Sequence, residues 1–174
     1  MIKGWSIVLG LALAVPQVGW AQATSSNKVS TKTDWNVFVD DNPKECWGVS
    51  VPSKTKNIKD GRVVAVNRGQ TLLMVSFHPK EGSNGLVSFT GGYPFDKGST
   101  VTVTIDEAKF ELFTEGEWAW APSPDDDAKL VAAMKRGSDA LVTGVSGRGT
   151  ETQDTFSLLG FTAAVADAEK RCSS

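Results

Sequence analysis

A two-residue rhythm constrains this chain more than any other feature. The clearest case is "TVTVTI", residues 100–105, where β-branched apolar and polar side chains alternate. Strict alternation puts one kind of side chain on each face of a strand and is incompatible with an amphipathic helix. The same rhythm or β-branched content recurs in "WNVFV", "CWGVSVP", "GRVVAVN", "TLLMVSF", "LVSFT", "KFELFT", "EWAWA", "ALVTGVS" and "DTFSLLGF". Turn-forming stretches separate these runs: "DDNPKE", "HPKEGSNG", "GGYP", "DKGS" and "GRGTETQ". "RGQ", with Gly69, reads as a short hairpin connection between "GRVVAVN" and "TLLMVSF". About ten short strands at this spacing predict a mainly β protein, an antiparallel β-sandwich.

Two helices interrupt the strands. "SPDDDAKLVAAMKRG" carries an N-cap at Ser123, a first-turn proline at Pro124 and three dipole-matched acids, Asp125, Asp126 and Asp127. Lys135 and Arg136 suit its other end, and Gly137 suits a C′ position. Leu130, Val131 and Met134 form its apolar stripe. A short C-terminal helix follows in "TAAVADAEKRC". The expected architecture is therefore a sandwich with one inserted helix and one short C-terminal helix.

The N-terminus reads as a leader. Lys3 precedes the apolar "WSIVLGLALAV", and Ala21 and Ala23 make an A-x-A cleavage pattern. The apolar run falls short of the ~20 residues that a membrane span needs, and no cysteine follows it to carry a lipid. Residues 1–23 are thus expected to be a signal peptide, 24–33 a flexible lead-in and 34–174 one domain. The mature chain is expected to be periplasmic or secreted, with no integral membrane segment. Cys46 and Cys172 are the only cysteines. In an oxidising compartment two thiols read as one disulfide, with two separate free thiols as the alternative. A net charge of −2 leaves no basic surplus for phosphates, which argues against nucleic acid as a partner.

Candidate chemistry is sparse. His78 is the only histidine, and it reads as a loop residue rather than a catalytic base. "GVSGRG" around Ser146 departs from G-x-S-x-G. Asp40, Asp41, Asn42 and Glu45 lack the spacing of a calcium loop and read as turn chemistry. No zinc ligand set, cofactor motif or catalytic residue is indicated. The aromatic residues are more informative. "FTGGYPF", residues 89–95, places Tyr93 and Phe95 on either side of Pro94. They either plug the end of the sandwich or form an exposed contact loop. In "GEWAWAP", Trp118 and Trp120 share a strand face. Pairing "EWAWA" with "KFELFT" sets Phe113 opposite Trp118, so that Glu111, Phe113, Trp118 and Trp120 lie on one face. Phe110, Leu112, Ala119 and Ala121 lie on the other. With both faces apolar, the Ser123 helix is expected to fold back over the tryptophans, which favours a packing joint over an open binding platform.

Taken together, "DWNVFVDDNPKECWGVS", "RVVAVNRGQTLLMVSF", "SFTGGYPF", "FELFTEGEWAWAPSPDDDAKLVAAMKRGSDALVTGVSGRGT" and "DTFSLLGFTAA" resemble the invasion-associated locus B family of exported bacterial proteins. The resemblance implies an immunoglobulin-like antiparallel β-sandwich, a signal peptide and a non-enzymatic envelope protein. Its members are associated with host-cell entry in pathogens. The implied partner is an envelope or host-surface protein or glycan, and no catalytic residues carry over. Two other readings stand beside it: a carbohydrate-binding module using Trp118, Trp120 and Tyr93, and a hydrolase.

Overall fold

A computed structural model describes residues 27–173. The expected leader, residues 1–23, lies outside the described residues. Twelve strands follow in order: β1 (Lys28–Lys32), β2 (Trp35–Asp41), β3 (Lys44–Ser50), β4 (Lys54–Lys59), β5 (Arg62–Val63), β6 (Leu72–His78), β7 (Ser83–Thr90), β8 (Thr100–Ile105), β9 (Ala108–Glu115), β10 (Trp118–Trp120), β11 (Asp139–Val145) and β12 (Glu151–Ser157). Helix α1 (Pro124–Met134) lies between β10 and β11, and α2 (Phe161–Cys172) follows β12. The protein is mainly β, with an inserted and a C-terminal helix.

All twelve strands form one antiparallel ladder in the order β1-β2-β3-β6-β7-β10-β9-β8-β11-β12-β4-β5. The ladder curls until distant strands face each other across the core. Phe89 on β7 meets Phe156 on β12 with ring centroids 6.1 Å apart, an edge-to-face contact. Trp35 on β2 is fully buried, and its indole N–H donates to the Ser157 carbonyl at 2.9 Å. The strands that meet across the core thus belong to one continuous sheet, in which pairing satisfies nearly every interior strand.

Helix α2 covers the inner face at the N-terminal end of the ladder. Phe161, Ala164, Val165, Ala168 and Cys172 are buried, and Phe161 packs edge-on against Trp35 at 4.8 Å. A disulfide joins Cys46 on β3 to Cys172 at the end of α2. The helix lies close on β3: a Cβ at Gly48 would already be in van der Waals contact, 3.7 Å from the Ala164 side chain.

Several expectations change. Residues 28–32, read as part of a flexible lead-in, form β1. This strand pairs with β2 and is anchored to α2, because Ser30 donates to Asp167 at 2.6 Å and Lys32 pairs with it at 3.3 Å. "GRVVAVN" is a strand only at Arg62–Val63, and it pairs with β4 rather than forming a hairpin with β6. The "RGQ" segment instead crosses the Gly91–Gly92 loop, where the Gly69 N–H donates to the Gly92 carbonyl at 2.8 Å. β4, "KTKNIK", lies outside every run expected to be a strand. Gly137 does not terminate α1 in a left-handed conformation. Its N–H bonds to the Ala133 carbonyl, and a side chain there would run into Ile105.

Candidate functional site

The β9–β10 turn is Gly116–Glu117, so Trp118 pairs with Glu115 and Trp120 with Phe113. The expected Phe113–Trp118 partnership is therefore shifted by one pair. Its parity survives, because any antiparallel shift by two residues preserves the face. Glu111, Phe113, Trp118 and Trp120 do share a face. Leu112, Ala119 and Ala121 lie on the other and are buried in the core.

The tryptophan face is the outer one. Helix α1 does not cover it. Leu130, Ala133 and Met134 join the same core as Leu112, Ala119 and Ala121. The apolar stripe of α1 thus finds its partner beneath the sheet, and the indoles stay half-buried on top. The start of α1 accounts for this choice. Ser123 Oγ accepts from the Asp126 N–H at 3.3 Å and donates to the Asp126 carboxylate at 2.6 Å. This cap swings Asp127 inward, where its carboxylate accepts the Val87 N–H at 2.8 Å.

Register extends the outer face across seven strands. Asn36, Val49, Met74, Ser88, Trp120, Phe113 and Thr100 are successive ladder partners. One pair away, Phe38, Trp47, Ser76 and Leu86 form a parallel row. Trp118 and Trp120 stack at 6.4 Å with their planes 22° apart, and Phe113 packs against Trp120 at 5.6 Å. Phe38 and Trp47 stack at 5.5 Å with planes only 5° apart. Between these two aromatic groups lies an open groove of about 350 Å³, floored by Met74, Ser76, Leu86 and Ser88. Trp47 and Trp120 stand three strands apart, or roughly 14 Å at ordinary strand spacing. Glu111, on the Phe113 edge, is solvated and accepts hydrogen bonds from Thr100 and Thr102 at 2.6 and 2.9 Å.

His78 ends β6 rather than sitting in a loop, and it borders this groove. Its Nε2 lies 3.0 Å from Ser76 Oγ and its Nδ1 3.5 Å from Glu45. Sequence spacing gives no hint of the carboxylate, which arrives from β3. The line Ser–His–Glu has the order of a nucleophile, base and orienting acid. However, β6 is paired on both sides, by β3 and β7, so the strand's N–H groups serve the ladder rather than an oxyanion. Among the described residues no group of three or more His, Cys, Asp or Glu is placed to hold a metal ion. In the "DDNPKE" turn, Asp40 instead accepts from the Asn27 side chain and the Asp41 N–H.

The "FTGGYPF" loop divides its two aromatics. Phe95 is 7% exposed and packs against Phe89, so it is a core plug rather than a contact residue. Tyr93 is half-buried and lines a second cleft, of about 400 Å³, between residues 66–68, 92–94 and 146–152. The Tyr93 hydroxyl meets Thr152 Oγ1 at 2.5 Å, and Arg68 lies over its ring at 5.8 Å. Burial pushes the Tyr93 phenol above its usual value. Arg68 makes a forked pair with Asp154, Nη2–Oδ1 2.6 Å and Nη1–Oδ2 2.9 Å. The Asp154 side chain is fully buried. That hydrogen-bonded pairing raises the Arg68 pKa further. Room for Tyr93 comes from glycine: a Cβ at Gly91 would strike its ring, and one at Gly144 would crowd its hydroxyl.

A family model described as Invasion associated locus B (IalB) protein matches residues 35–169. No curated protein and no solved structure matches the chain.

Proposed function

The chain belongs to the invasion associated locus B family, and from that premise we propose a non-catalytic, exported envelope protein that acts by binding through its outer aromatic face. One observation carries this reading: the stacked Trp118–Trp120 pair stands on a solvent-facing sheet that neither α1 nor α2 covers. A row of half-exposed indoles on an uncovered sheet loses apolar contact with water only when a partner arrives. The sequence supports export, through the leader at residues 1–23, to the periplasm or beyond it. A disulfide linking Cys46 and Cys172 agrees with an oxidising compartment. No helix among the described residues is long and apolar enough to cross a membrane.

The chemistry of the face favours a saccharide over a purely apolar ligand. Indole rings offer apolar faces and edges against which the C–H faces of sugars pack. Glu45, Ser76 and His78 line the same groove and offer hydrogen bonds to hydroxyls. Envelope or host-surface glycans of this kind fit the family's association with invasion. Tryptophan fluorescence during titration with envelope and host-type oligosaccharides tests the reading. Saccharide-dependent emission changes that vanish in Trp118→Ala/Trp120→Ala support it. No response to either glycan class overturns it.

The Ser76–His78–Glu45 line favours a second reading, ester hydrolysis at Ser76. Turnover of a small ester by the wild type that is abolished in His78→Ala would establish it, and equal rates in both would eliminate it.

A further inference from the structure

We propose that the Tyr93 cleft, separate from the aromatic face, binds an extended acidic peptide by adding it as a strand along residues 65–67. Three observations meet there.

The first is a free backbone edge. β5 ends at Val63, and after it only one bond continues the pairing with β4, from the Val64 N–H to the Asn57 carbonyl at 2.9 Å. The chain then peels away. Among the described residues, Ala65, Val66 and Asn67 make no main-chain hydrogen bond, and all three are exposed. Unpaired extended backbone at a sheet margin is a template for another strand.

The second is rigidity. The far end of this segment is pinned where Gly69 crosses Gly92. There a Cβ on Gly92 would collide with the Gly69 backbone. Arg68 is held by Asp154, whose Oδ1 also accepts from Thr55 at 2.8 Å. The opposite wall is pinned as well, since the Gly147 N–H donates to the Pro94 carbonyl at 2.9 Å. A groove fixed on both sides binds without a large ordering cost.

The third is charge. Asp154 already balances Arg68. Arg148, on the exposed turn between β11 and β12, lines the cleft and makes no ion pair among the described residues. Lys59 and Arg62, cross-strand partners on the same sheet face as Asn57, add two positive charges beside the start of this segment against Asp60 in the turn between them, in a chain of net charge −2. Arg148 with this pair gives the cleft a cationic rim on an acidic protein, complementary to carboxylates. In an added strand, alternate side chains would point down onto Tyr93 and Pro94, and the others toward the cationic rim. That pattern selects an apolar–acidic alternation.

The probe is a fluorescein-labelled octapeptide alternating valine and aspartate, followed by anisotropy with the full chain. Saturable binding that weakens with salt is expected. Arg148→Glu, on an exposed turn, should keep the native circular dichroism and lose about tenfold or more in affinity. It should also gain affinity for the valine–lysine counterpart. N-methylation of alternate peptide amides should abolish binding, and Trp118→Ala/Trp120→Ala should leave it unchanged. Absence of binding, indifference to Arg148→Glu, or full binding of the N-methylated peptide would each overturn the proposal. Binding of benzoate without the peptide would overturn it too, by marking a small-molecule pocket.

Discussion

Asp127 accepts the main-chain N–H of Val87 at 2.8 Å, at the point where β10 stops pairing with β7. Trp120 opposite Ser88 is the last β10–β7 pair, and Val87 is the next residue along β7. A carboxylate on α1 thus takes over from the missing strand. The donor is buried, so Asp127→Ala should lower stability by about 1–3 kcal/mol. Burial, more than the nearby Asp126, holds the Asp127 pKa above its usual value. The folded state therefore binds this proton more tightly than the unfolded state, and the Asp127 contribution declines as pH rises past the usual carboxylate range. Asp127→Asn keeps an acceptor without the buried charge. Urea denaturation at pH 7 should find it at least as stable as wild type.

Asp167 behaves in the opposite way. Hydrogen bonds from Ser30 first, and then from Arg171 and Lys32, lower its pKa to about 2. Its contribution is complete above the ordinary value of 3.8 and is lost as pH falls toward 2. Between those limits, Asp167→Asn should flatten the fall of the denaturation midpoint. Near pH 7 the variant should be less stable than wild type.

The disulfide closes a separation of 126 residues. Restricting so long a loop in the unfolded chain corresponds to at most ~5 kcal/mol, with 2–4 typical. Cys46→Ser/Cys172→Ser should lose stability in that range. Hydrogen exchange should show the loss first in α2 and β1, which α2 holds in place.

Arg68 and Asp154 should be strongly non-additive. Removing one partner leaves a buried charge, so Arg68→Ala or Asp154→Ala should each cost about 3–5 kcal/mol. Arg68→Met/Asp154→Leu should cost far less than the two single changes summed. Chemical denaturation of the four proteins closes the cycle.

Legibility followed the range of the physics involved. The start of α1 could be read residue by residue, because capping at Ser123 and Pro124 is local. The shared face of Trp118 and Trp120 survived an error of register, since period two is insensitive to shifts of two. What covers that face was not legible. The Leu130–Met134 stripe announces a partner but not the side of the sheet on which it lies. β4 escaped because its inward residues, Thr55 and Asn57, are polar and so break the hydrophobic alternation. Their inner-face neighbour is Asp154, whose partner Arg68 is 86 residues away, beyond any local pattern. The Ser76–His78–Glu45 line was hidden for the same reason, as β3 supplies its acid.

The clasp between the two ends of the domain also sets an order of events. β1 leaves a ribosome or translocation pore well before α2, yet its anchor is Asp167 on that helix. β3 waits for Cys172, and Trp35 waits for Ser157. The first three strands therefore cannot be completed while residues beyond 157 are still in transit. A domain wired this way stays threadable until Cys172 has emerged, and then closes in one late step.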